Sequence, residues 1–284
     1  MKNPSVQRQQ GAALLMMMLA LIAISSALAY QFLGDLGQKL KRQNNEKVVE
    51  SLVTAKENLL SFTESIPELY GDTKSPGFFL CPDMNPLTNA NSGSSSGSCA
   101  WSSSNAIGRL PSIKKDDSST TNINEFFFFA QAEKNGGYSL WYAIDDLYRN
   151  SNTATTNPLD LTPTMTLDGN AVVAVIIAAN SPLSGQINNQ AKQQQRVRTE
   201  AANLQWDDHI ESFTSGKAFV SRKQRENDLF NDQIIAITKT ELDSVLKKKV
   251  CEQARKDDYC NTPPTWFSTY GWTTHICPTA SKCN

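Results

Sequence analysis

The chain contains six cysteines, which could form disulfide bonds or bind a metal ion. In chain order they are Cys81, Cys99, Cys251, Cys260, Cys277 and Cys283. Their even number and a charged-residue content of only 19% favour disulfide bonds in an oxidising, exported location. The sequence does not fix the connectivity, and loop-closure entropy favours bonds between sequence neighbours. Cys81 and Cys99 enclose a flexible Gly/Ser run, so we predict that these two are bonded.

Metal binding is the alternative use of these cysteines. A zinc site needs thiolate and imidazole ligands, but no Cys-x-x-Cys occurs and the only histidines are His209 and His275. Asp83, Asn85, Asn89 and Asn91 offer oxygen ligands after Cys81, but their spacing is not that of an EF-hand loop, so the sequence gives little support for a calcium site there. We predict that the cysteines form disulfides and that the protein binds neither a metal nor a cofactor. A zinc site is the alternative.

Residues suited to acid–base or nucleophilic catalysis are sparse. Neither histidine stands beside a plausible nucleophile, and the adjacent acids of Asp145-Asp146 point apart in a strand or a helix. No Gly-rich phosphate loop occurs. The net charge of −1 gives no electrostatic basis for binding nucleic acid. We predict that the protein is not an enzyme and that it has no nucleic-acid partner.

The first element is a polar leader followed by an apolar run. Residues 1–10 carry two cations and no acid, Gly11 follows, and residues 12–29 are apolar apart from two serines. This order indicates targeting to a membrane with the leader on the cytoplasmic side. Past the run, apolar residues recur at helical spacing to about Ser65, just before Pro67.

Three interpretations of this N-terminus are open. A secretory signal could be cut after Ala29, where small residues flank the site, to leave Tyr30 as the new N-terminus. The run could be a plain anchor, because residues 12–30 approach the ~20 residues that cross a bilayer. Cleavage could also fall between Gly11 and Ala12, with the apolar segment retained. The amphipathic continuation of the helix favours the third, since a cleaved signal needs no such continuation.

The leader, the apolar run and its continuation resemble a type IV prepilin. Several short motifs of the soluble part resemble, in order and spacing, those of large bacterial prepilin-like proteins associated with type II secretion or type IV pili. These motifs are Cys81-Pro82-Asp83, Cys99, Gly108-Arg109-Leu110-Pro111, Leu140-Trp141-Tyr142-Ala143, Leu167-Asp168-Gly169, the apolar run 172–178 and Phe230-Asn231-Asp232. The resemblance extends from Gly11 to about Val250 and is specific only as a combination.

One position departs from the prepilin pattern. The resemblance implies a Glu at the fifth residue after the cleavage site, where it pairs with the N-terminal amine of a neighbouring subunit. Met16 occupies that position here, and residues 12–29 contain no ionisable side chain. The missing acid argues for a minor subunit, placed at the tip of a filament, and against one that stacks on itself.

The resemblance implies an α+β, pilin-like fold, in which a long N-terminal helix serves as membrane anchor and stalk and packs on an antiparallel β-sheet head. We divide the chain into a leader (1–11), the anchor and stalk helix (12–66), a globular head (67–250) and a Cys-rich tail (251–284). Residues 138–144, 172–179 and 233–238 are the predicted strands. A capping box at Thr238 predicts a helix after the last of them. The tail is expected to be stapled by disulfides rather than packed.

These features predict a minor pilin or pseudopilin of a type IV pilus or type II secretion pseudopilus. The implied partners are other pilins or pseudopilins, an inner-membrane assembly platform, prepilin peptidase and the membrane, through residues 12–30. The protein is then expected to be single-pass in the inner membrane with its head in the periplasm, and later to reach the cell surface in the filament. The alternative is an exported envelope binding protein whose signal is cut after Ala29.

Overall fold

The computed structural model describes residues 5–71, 73–84, 95, 99, 101, 106–111, 140–149, 155–179, 210, 212–221 and 232–277. They form an α+β protein. The chain divides into two units, Met1–Val49 and Glu50–Asn284, and all the strands that the structure describes lie in the second. We call the second unit the head.

Helix α1 spans Ser5–Glu64 and is followed after Ser65 by the short helix α2, Ile66–Tyr70, with Pro67 in its first turn. Proline suits that position because the N–H it lacks has no partner in a first turn. Within the head, α1 buries one stripe of side chains at helical spacing: Leu52, Ala55, Leu59 and Phe62.

Seven strands form one sheet. Six of them follow the order β1-β2-β4-β3-β6-β5, and β7 pairs with β4 outside this order. The bounds are β1 Ile107–Arg109, β2 Leu140–Ile144, β3 Thr166–Leu167, β4 Asn170–Ala178, β5 Phe213–Ser215, β6 Ala218–Phe219 and β7 Gln233–Thr238. Two short 3₁₀ helices, Asp146–Tyr148 and Pro158–Asp160, lie between β2 and β3.

Strand β4 is the centre of the sheet. Residues 172–179 are all buried, so this apolar run is covered on both faces. On one face Val175 and Ile177 pack with Trp141 and Phe219 in a single apolar cluster. On the opposite face lies helix α3, Lys239–Lys256, which packs against β4 and β7.

Helix α3 begins where the sequence predicts. Thr238 is the N-cap, and its hydroxyl accepts from the Glu241 amide while the Glu241 side chain accepts from the Thr238 amide. This reciprocal arrangement is a capping box. The buried face of α3 consists of Leu242, Leu246, Val250, Cys251 and Ala254.

The tail is packed as well as stapled, so the expectation of an unpacked tail is wrong. It contains helices α4, Thr265–Thr269, and α5, Trp272–Ile276, and α5 packs against α3. Trp266 and Trp272 are buried and meet edge to face, with ring centroids 6.2 Å apart. The Trp272 indole N–H donates to Ser75 Oγ at 2.8 Å. Aromatic burial outweighs the loop-like composition of this segment.

The predicted pilin-like arrangement, an anchor and stalk helix packed on an antiparallel sheet, is also wrong. The sheet is mixed, because β6 runs parallel to β3, with Thr166 opposite Ala218 and Leu167 opposite Phe219. Parallel strands need a long connection, and in the chain β3 and β6 are separated by β4 and β5. Among the described residues, no helix has the length and apolarity required to span a membrane.

Candidate functional site

The N-terminal residues singled out by sequence all lie in α1. The backbone of Gly11 and Ala12 is helical, as is that of Met16. Met16 is 73% exposed and belongs to a set of eight large apolar side chains that are 58–73% exposed. We call this set the apolar segment; its members are Leu15, Met16, Met17, Met18, Leu19, Leu21, Ile22 and Ile24.

The apolar segment has no polar face. Residues 15–22 are consecutive and all exposed, and at about 100° per residue they surround the helix axis twice. Ser25, the next polar residue, donates its hydroxyl to the Leu21 carbonyl at 2.7 Å. Bonding to the carbonyl one turn back is how a helix satisfies a serine hydroxyl without water. The arrangement suits apolar surroundings on every side.

In the head, the two segments carrying the Cys-Pro-Asp and Gly-Arg-Leu-Pro motifs are side by side. Asp83 and Arg109 exchange backbone hydrogen bonds of 2.8 and 3.0 Å, and their side chains form an ion pair at 2.5 Å. Gly108 is required here because a Cβ would lie 2.7 Å from the Asp83 carbonyl oxygen and 2.5 Å from Met84 Sδ. Asp83 is therefore an ion-pair partner of Arg109.

The predicted bond between Cys81 and Cys99 is present, with the sulfurs 2.02 Å apart. In the tail, neighbour pairing is wrong: Cys260 bonds to Cys277 across α4 and α5. Cys251, buried on α3, is also disulfide-bonded. Cys283 lies outside the described residues.

Asp145 and Asp146 have different structural roles and do not form a catalytic pair. Asp145 is fully buried and accepts from the amides of Thr164 and Met165 at 2.6 and 2.8 Å, which fixes the segment that enters β3. Asp146 pairs with Lys217 at 2.7 Å. Both arrangements hold loops to the sheet.

The two histidines are the remaining candidates. His275 lies 3.1 Å from Asp160 at the surface, and His209 is outside the described residues. Within the described ranges, no group of three or more His, Cys, Asp or Glu side chains could hold a metal ion.

Sequence reasoning missed the contact between α1 and the start of α3. Lys56 Nζ lies 2.5 Å from Glu241 Oε1, and Glu241 is at the same time the acid of the capping box. Burial raises the pKa of Glu241, but hydrogen bonds from Lys56 and Thr238 outweigh it, so the pKa lies below its ordinary value. The capping box was visible in the sequence, but its partner on α1 had no local signal.

Comparison with known proteins gives no relative: no protein-family model, curated protein or solved structure matches this chain.

Proposed function

We propose that this protein is a minor pilin or pseudopilin, a structural subunit of a type IV pilus or a type II secretion pseudopilus. The observation that carries the proposal is the apolar segment of α1, whose eight large apolar side chains are exposed around the whole helix. Such a helix needs apolar surroundings on every side. A bilayer and a packed bundle of helices both provide them, and a filament subunit occupies the two in turn.

The same helix supports the proposal at its other end. Leu52, Ala55 and Leu59 of α1 are part of the head core, so α1 cannot be removed without exposing that core. A signal peptide cut after Ala29 would leave residues 30–64 of this helix without the segment before it. Retention of the apolar segment gives the whole of α1 a role.

Processing and location follow from the leader. Prepilin peptidase cuts between Gly11 and Ala12, and residues 12–30 hold the subunit in the inner membrane with its head in the periplasm. An inner-membrane assembly platform then passes it to other pilins or pseudopilins and to the cell surface. Met16 provides no carboxylate for a neighbour's amine, so the subunit initiates or caps assembly and is present in few copies.

The experiment compares wild type with Met16→Glu in filaments sheared from cells. We expect little wild-type protein in the filaments and more of the variant, because the new carboxylate draws the subunit beneath a neighbour. Met18→Glu is the matched control, since it adds the same charge two residues away. Wild-type protein forming the bulk of the filament contradicts the minor-subunit proposal.

A further inference from the structure

Strand β7 is paired to β4 along one edge, and among the described residues no strand pairs with its other edge. The Asp145 amide donates to the Val173 carbonyl at 2.9 Å, so the backbone groups of Val173 point toward β2. Because backbone groups alternate in direction along a strand, the same holds for every second residue of β4 after Val173. The alternate residues of β4 therefore bond to β7. Their partners are Gln233, Ile235 and Ile237, opposite Ala178, Ile176 and Ala174.

It follows that Ile234 and Ala236 direct their N–H and C=O groups away from β4. Within the described residues these groups have no hydrogen-bond partner. The edge also lacks the usual protection against pairing, since residues 234–237 contain no charge and no proline. Ile234, Ile235 and Ala236 are each partly exposed.

The outer edge of β1 differs from the outer edge of β7. The outer edge of β1 is closed by a bridge between Arg109 and Asp83, reinforced by their ion pair. At β7 the contacts among the described residues lie at the two ends, where the Thr238 amide donates to Glu241 and Asp232 accepts from the Ser212 amide. An open, uncharged, β-branched edge accepts an added strand through main-chain hydrogen bonds.

We propose that this edge pairs antiparallel with the β7 edge of a second copy of the chain. Placing Ile235 opposite the partner's Ile235 sets Ile234 opposite the partner's Ala236, and Ala236 opposite the partner's Ile234. In this register Ile234 and Ala236, the two outward residues of each strand, both form hydrogen-bonded pairs. If the register of the two strands shifts by two residues in either direction, one of these residues no longer faces an outward residue of the partner strand's centre. Every facing pair at the centre is apolar, so no like charges meet.

The pairing is self-complementary and closed by a two-fold axis at Ile235, so it stops at a dimer. A single strand edge buries less surface than a stable interface needs, which predicts a weak dimer favoured by high local concentration. The inference does not rest on the filament proposal, because the edge belongs to the head whichever way the N-terminus is processed.

The test is cross-linking of full-length protein in detergent. Ile235 forms a non-hydrogen-bonded pair across the axis, where facing Cβ atoms lie about 4.5–5.5 Å apart. Ile235→Cys should therefore give a covalent dimer under mild oxidation, read on a non-reducing gel. Ser244→Cys, exposed on α3, is the matched control and should stay monomeric.

A second substitution separates pairing from folding. Ala236→Pro removes an outward N–H and leaves the β4 bonds intact, so it should abolish the Ile235→Cys cross-link while the melting temperature stays close to that of wild type. If Ala236→Pro does not fold, Ile235→Lys in the otherwise wild-type chain serves, with the concentration dependence of its mass in detergent as the readout. It places like charges opposite each other across the axis, so it should stay monomeric at concentrations where wild type dimerises. A cross-link at Ser244→Cys equal to that at Ile235→Cys, or no cross-link at Ile235→Cys, overturns the proposal.

Discussion

Asp83 and Arg109 are joined twice, by two reciprocal backbone hydrogen bonds and by a side-chain ion pair at 2.5 Å. Both side chains are almost wholly buried, with exposures of 1% and 4%. The disulfide from Cys81 lies two residues away. This junction holds the segment after Cys81 against the outer edge of β1, and so fixes one margin of the sheet.

Arg109→Met should destabilise the head strongly. Removing one partner of a buried ion pair leaves an uncompensated charge, which costs about 3–5 kcal/mol of unfolding free energy. Adding Asp83→Leu should recover most of that loss, because the orphaned carboxylate is then gone. Lys249→Met, which breaks the more exposed pair with Glu68, is the control and should cost ~1 kcal/mol or less. Urea unfolding followed by tryptophan fluorescence gives the values; equal losses for Arg109→Met and Lys249→Met would count against the junction.

Tyr142 and Tyr148 should respond oppositely to replacement by phenylalanine. Burial raises the pKa of both phenols. The Tyr142 hydroxyl has no hydrogen-bond partner among the described residues, whereas that of Tyr148 donates to the Leu161 carbonyl at 2.7 Å. Tyr142→Phe should therefore be neutral or stabilising, and Tyr148→Phe should cost about 1 kcal/mol. Melting temperatures in the same buffer compare them, and a larger loss for Tyr142→Phe would show that its hydroxyl is paired.

The contact between Lys56 and Glu241 should make stability depend on pH. The folded-state pKa of Glu241 lies below its ordinary 4.5, so its contribution is complete above that pH and is lost as the pH falls through the folded pKa. Glu241→Gln should thus be less stable than wild type at pH 7, and the difference should vanish well below pH 4.5. Glu57→Gln, exposed on α1, is the control. A difference that stays constant from pH 7 to pH 3 would mean that the carboxylate charge is not involved.

Mass mapping of non-reduced peptides should give three cross-links. Two are Cys81 to Cys99 and Cys260 to Cys277. The third contains Cys251, and Cys283 is the cysteine of the sequence that remains for it. Peptides joining Cys251 to Cys260 would contradict the tail packing, because α4 and α5 would lose the bond that closes them.

Local signals predicted the local elements well. The apolar run of β4, the strand β7 and the capping box at Thr238 each lie within a few consecutive residues, so the sequence was sufficient for them. The parallel pairing of β6 with β3 was missed because strands of two residues have too little pattern to assign a partner.

The site was less predictable than the elements. Asp83 and Arg109 were seen as parts of two separate motifs, but nothing within either motif indicates that one side chain neutralises the other. The tail was misjudged because its Pro and Cys content is typical of loops, while the burial of Trp266 and Trp272 depends on helix α3 and on Ser75 far away in sequence. Contacts that join distant segments have no local pattern.

The first residue of the mature protein distinguishes a filament subunit from an exported binding protein. Mass spectrometry of the protein from the membrane fraction should find Ala12 as the first residue, because cleavage after Gly11 retains the apolar segment that the filament proposal requires. Gly11→Glu should block this processing and leave the leader attached, since the peptidase site then carries a bulky charge. A mature protein that begins at Tyr30 would contradict the account, because the exported binding protein would then be the correct description.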